Sequence, residues 1–160
     1  MSKFETHLTT VFCEDVRQEI GGKITLVGVF NVICGISSFP VTLPKIAVML
    51  RVIGPMETVP KAIGYKAWLG EELIAEVPVT PVTHAVPSGL ESQIEAASEA
   101  VPSELQFSGK FGSMTSFMVF APLHVERGAT ALRIRAYGPD GEEYPAPSLT
   151  FVSNEELSSD

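Results

Sequence analysis

Basic residues are scarce in this chain. Eleven lysines and arginines stand against nineteen acids, a formal net charge of -8. So few cations, scattered along the sequence, cannot build the positive stripe that a phosphate backbone requires, which argues against nucleic acid and against an anionic membrane as partners. The acidic excess instead keeps a domain soluble. Cysteine is nearly absent: Cys13 and Cys34 are the only two. The opening residues MSKFETHLTT hold one lysine and no apolar run of signal-peptide length, so two free thiols in a reducing, cytoplasmic setting are expected. Long hydrophobic runs are missing too. The most apolar stretch, ITLVGVFNVICGI, is too short to span a bilayer and contains Thr25 and Asn31.

Catalytic signatures are also lacking. No G-x-S-x-G, P-loop, G-x-G-x-x-G, H-E-x-x-H or paired C-x-x-C occurs. His7, His84 and His124 lie far apart, and no spacing with Cys13 or Cys34 matches a metal-ligand pattern. The acids of GPDGEE, Asp140, Glu142 and Glu143, fall in one tight turn, whereas calcium cages gather oxygens from several loops. The expectation is therefore no catalytic residue, no metal and no cofactor.

What the chain does have is apolar residues, 45% of the total, punctuated by 12 prolines and 13 glycines. The apolar runs alternate with period two. In KIAVMLRVIG, Ile46, Val48, Leu50 and Val52 share a face; in ALRIRAY, Leu132, Ile134 and Ala136 oppose Arg133, Arg135 and Tyr137. This describes strands with one face on a core and one in water. Strands are predicted near 4–16, 23–34, 45–54, 62–69, 72–79, 115–121, 130–137 and 148–153, with a short one conceivable at 105–110. The predicted fold is an all-β, antiparallel β-sandwich of the Ig-like or C2-like kind, with about 7–9 strands. A single domain over 1–153 and a flexible acidic tail at 154–160 complete the expected organisation. The segment PSGLESQIEAASEAVP breaks the alternation. Ser88 and Glu91 fit a capping box, and Leu90, Ile94 and Ala97 recur at helical spacing, so a short helix or loop insertion is expected at 88–100.

Turns can be placed from the same pattern. YKAWLGEELIAEV should fold back about Gly70 with Trp68 opposite Leu73, and Gly138-Pro139-Asp140-Gly141 should close a second hairpin. For FCEDVRQEIGGKITLVGVFN, a three-residue connection, Ile20-Gly21-Gly22, sets Glu19 against Lys23, Val16 against Leu26 and Phe12 against Phe30. Cys13, Asp15 and Arg17 then line the other face. Glu14 is the misfit, placed on the core face opposite Gly28, and a bulge or an edge position would release it.

The stretch FCEDVRQEIGGKITLVGVF also resembles the N-terminal signature of a family of uncharacterised bacterial proteins, a domain of unknown function. Cys13, Glu14, Asp15, Val16, Arg17, Glu19, Gly21, Gly22, Lys23, Leu26, Gly28 and Phe30 carry the likeness, joined by LPKIAVMLRV and the GPDGE turn. The resemblance spans most of the chain, with Val86 to Gln106 looking peculiar to this protein. It implies a β-sandwich and no known activity.

Candidate binding residues are Asp15 and Arg17 on the first hairpin, and Arg133, Arg135 and Tyr137 as a basic-aromatic patch that Arg51 could extend toward an anionic partner. Solvated, self-paired strand faces explain the same residues. Met114, Met118, Phe117 and Phe120 read as core. The functional expectation is a non-catalytic binding or structural module, meeting a protein partner or itself. The alternatives are a small-ligand binder or enzyme with a pocket between the sheet and 88–106, and a phage or defence-system accessory.

Overall fold

The computed structural model describes residues 5–21, 23–82 and 111–154. Within them the chain forms twelve strands. One sheet has the order β2-β1-β5-β8, from β1 (His7–Gln18), β2 (Ile24–Phe30), β5 (Ile46–Pro55) and β8 (Phe111–Phe120). The second has the order β3-β12-β10-β6-β7, with β11 also paired to β10. Its strands are β3 (Ile33–Ile36), β6 (Ala62–Leu69), β7 (Glu72–Pro81), β10 (Ala131–Tyr137), β11 (Glu143–Pro145) and β12 (Leu149–Ser153). A small ribbon of β4 (Val41–Leu43) and β9 (Leu123–Val125) completes the set.

The period-two pattern decides which face each strand buries. Leu8, Phe12, Val48, Leu50, Val52, Met114 and Met118 come from the first sheet. They meet Ile63, Tyr65, Ala67, Leu132, Ile134, Leu149 and Phe151 of the second in one apolar core. This is the expected sandwich, two sheets whose inner faces exclude water from each other. Across the core, the Tyr65 hydroxyl donates to Ser116 Oγ at 3.0 Å and ties β6 to β8. Burial pushes the Tyr65 phenol above its ordinary 10.0.

The first hairpin has the register that burial demanded. Phe12 faces Phe30, Cys13 faces Val29, Val16 faces Leu26 and Arg17 faces Thr25, and the Glu19 amide donates to the Lys23 carbonyl at 2.8 Å around the three-residue connection. The Glu19 carboxylate accepts from Thr25 Oγ1. Glu14 escapes the core without an inserted residue. Gly28 adopts φ +63, and the Glu14 side chain lies over it, where any Cβ would come within 2.6 Å of the carboxyl carbon. That carboxylate is exposed, and only glycine accommodates both the left-handed backbone and the overlying side chain.

The other turns also match. Trp68 opposes Leu73 across Gly70, and Gly138 to Gly141 close the β10–β11 hairpin, with Tyr137 opposite Glu143. Three differences from expectation have physical causes. The predicted strand 23–34 is two strands: the chain turns at Asn31 and Val32, the latter at φ 93, so β2 stays in the first sheet and β3 enters the second. There β3 lies parallel to β12, a pairing that needs a distant partner and leaves no turn signal. The three-residue strands β4, β9 and β11 raise the number above 7–9 because each is too short to show alternation. The expected helix or loop at 88–100, the possible strand at 105–110 and the acidic tail beyond Asn154 lie outside the described residues.

Candidate functional site

The outer faces of the two sheets divide the residues singled out from the sequence. Asp15 and Arg17 stand on the first sheet. Asp15 Oδ1 takes Lys45 Nζ at 2.5 Å and Oδ2 takes Arg17 Nε at 3.1 Å. Lys45 first, then Arg17, hold the Asp15 carboxyl below its ordinary 3.8. Beside this pair Cys13 is fully buried and its Sγ donates to the Ala47 carbonyl at 3.6 Å. Burial pushes its thiol up, as it does that of Cys34, and both cysteines are free. An uncharged, enclosed thiol is a poor nucleophile.

Arg133, Arg135 and Tyr137 stand on the second sheet. Arg133 bonds the Gly70 carbonyl at 2.5 Å and Glu71 at 3.3 Å, and Arg135 meets Glu143 at 2.7 Å. Arg135 also lies 5.8 Å from the Trp68 ring centre, and Lys66 lies 5.0 Å from that of Tyr137 while pairing with Glu76. The Tyr137 ring covers Gly64, where a Cβ would fall within 2.6 Å of it, and its hydroxyl donates to the Val77 carbonyl at 3.0 Å. Every cation of this ladder has an acid beside it, so it offers an anion no unbalanced charge. Arg51 belongs to the first sheet, where it donates to Thr115 at 3.4 Å, and does not join the patch. The five candidates therefore form two separate clusters.

His124 is held by Thr42 at 2.8 Å and by Glu126 at 2.9 Å. In the GPDGEE turn, Glu143 is taken by Arg135 and Glu142 by the Tyr144 hydroxyl. Among the described residues no group of three or more His, Cys, Asp or Glu is placed to hold a metal ion, and no helix is long and apolar enough to cross a membrane.

A concavity lies elsewhere. An open cleft of about 790 Å³ is lined by β7 and β8, each the end strand of its sheet among the described residues. Ile74, Ala75 and Val77 of β7 line it together with Phe117 and Phe120 of β8, and Glu72, His124 and Glu126 also belong to its lining. Met114 and Met118 are buried as expected, but Phe117 and Phe120 are half-exposed here. The missed signal was the composition of β8, FGSMTSFMVF: ten residues with no charge and no proline. Its ladder with β5 runs without a shift over all ten residues, and its far edge has no partner among the described residues.

Compared with known proteins, residues 8–109 match the profile of a family of unknown function, DUF6941. The chain belongs to this family. The match contains the first hairpin that suggested a family of this kind. It also runs through 86–106, expected to be peculiar to this protein, and ends before the GPDGE turn. No curated protein and no solved structure matches the chain.

Proposed function

We propose that this member of the DUF6941 family is a non-catalytic β-sandwich module that acts by binding another polypeptide, and that β8 is the edge it offers. One observation carries the reading. A ten-residue strand with a regular ladder on one side has, among the described residues, no partner on its other edge, which lies beside a largely apolar cleft. Such an edge is a template for a further strand, and sequences ordinarily blunt it with charge, proline or a bulge. The buried thiols and self-neutralised charge clusters support a role without nucleophile or metal. They also suit the reducing interior of a cell.

The test uses the full chain as bait in cells that make it, beside Val119→Lys. Val119 is 57% exposed on β8, so a lysine there charges the edge and leaves the core intact. A stoichiometric partner retained by the wild type and lost with the variant is the expected result. A partner indifferent to Val119→Lys, or a wild-type chain that emerges alone and monomeric, overturns the reading.

The size of the cleft favours a second reading. About 790 Å³ lined mainly by apolar side chains is the range of small-ligand sites, and this is where a ligand-binding or enzymatic role would reside. A small apolar molecule co-purifying in stoichiometric amount, detected by native mass spectrometry, would shift the assignment.

A further inference from the structure

We propose that the occupant of the cleft is an extended, apolar segment of another protein with lysine or arginine at its N-terminal end, added antiparallel to β8. This rests on β8 being the binding edge and specifies what the edge takes. A strand laid on β8 points alternate side chains toward the core side of the seam, which Ile74 and Val77 of β7 and Phe120 of β8 line. Those positions call for apolar residues, because the seam offers them no hydrogen-bond partner.

The lining supplies the sign. Glu72 and Glu126 belong to it, and none of the described lysines or arginines does. Glu126 is engaged by His124, whereas Glu72 makes no ion pair among the described residues. Charge complementarity therefore selects a cation. It also separates the possible occupants. A second copy would bring a β8 without a single base on a chain of net charge -8. The chain's own residues 83–110 contain four glutamates and one lysine. Both have the wrong sign.

Direction follows from the chain. Glu126 comes six residues after Phe120, the last residue of β8, which puts this acid toward the C-terminal end of the strand. Antiparallel addition forms the more stable ladder and sets the N-terminal end of the incoming peptide toward Glu126.

The experiment is fluorescence anisotropy with the full chain and labelled octapeptides. One has two lysines followed by alternating valine and threonine; the others carry two glutamates in place of the lysines, or the lysines at the C-terminal end. The lysine-first peptide should bind saturably and about tenfold tighter than either, as expected for two pairs of surface charges. Glu72→Lys/Glu126→Lys should reverse the order of the first two, and N-methylating alternate peptide amides should abolish binding in one frame and spare it in the other. Equal binding of all three peptides, still sensitive to N-methylation, overturns the basic preference while leaving β8 as a binding edge. Failure of every peptide, or indifference to N-methylation in both frames, overturns the proposal. So does sedimentation showing a dimer that Val119→Lys dissociates, which would assign the cleft to a second copy.

Discussion

Strands β7 and β8 are each ten residues long, and each leaves one edge of a sheet unpaired among the described residues, yet only β7 carries the devices that discourage a further strand. Glu72 and Glu76 charge it, Pro78 and Pro81 remove amide donors, and its ladder with β6 shifts register twice. β8 has no charge, no proline and no shift. Facing each other across one cleft, they show that edge protection here is selective. An edge left regular beside a protected one is where a partner strand costs least to add.

The largest test of this contrast concerns how each strand is held. Met118 on β8 points into the shared core, while Leu73 on β7 is 45% exposed. Met118→Ala should lower unfolding free energy in urea by about 2–5 kcal/mol, and Leu73→Ala by no more than about 0.5 kcal/mol. Equal costs would mean that β8 is not anchored as a core strand.

A smaller effect is expected where β8 is pinned to the second sheet. Tyr65→Phe removes the hydroxyl that bonds Ser116 and should cost about 1 kcal/mol. The phenol's raised pKa adds a pH signature. Below pH 10 it is protonated whether folded or unfolded; as pH rises through its ordinary 10.0, the unfolded chain ionises first and stability falls. Alkaline denaturation of Tyr65→Phe should therefore be shallower, and an identical curve in both proteins would remove Tyr65 from the account.

Smaller still in stability, and decisive for binding, is charge placed on each edge. Val119→Lys and Leu73→Lys should each change unfolding free energy by no more than about 0.5 kcal/mol. Only the first should abolish partner binding, and equal loss from both would erase the distinction between the strands.

The smallest effect lies away from the cleft, on the outer face of the first sheet. Lys45→Ala should move the Asp15 carboxyl titration, followed by NMR, up toward 3.8. The stability drawn from this carboxylate is present above 3.8 and is lost as pH falls through its depressed folded value. An unmoved titration would show that Lys45 does not hold it.

Legibility varied with the distance over which each decision is made. The pairing of Phe12 with Phe30 and of Val16 with Leu26 could be read in advance, because alternation and turn length act between neighbours in the chain. The turns at Gly70 and at Gly138 to Gly141 followed likewise. The break at Val32 was hidden inside a continuous apolar run, since both halves are strand and only the sheet they join differs. Asp15 and Arg17 were recognised as polar strand residues, but Lys45, which reaches Asp15 from the connection between β4 and β5, was not. The two candidate clusters looked combinable in one dimension and fall on different sheets in three.

Composition and periodicity alone determined that this chain makes amphipathic strands, where its tight hairpins turn and which faces meet water, because burial of alternating side chains is a local choice. Tertiary structure alone decided that β7 and β8 finish on the same side of the sandwich and that Phe117 and Phe120 open onto a seam. It also decided that Glu72 and Glu126 line one cleft. Those outcomes depend on the order of strands within two sheets, which is settled by long-range packing and leaves no periodic trace along the chain.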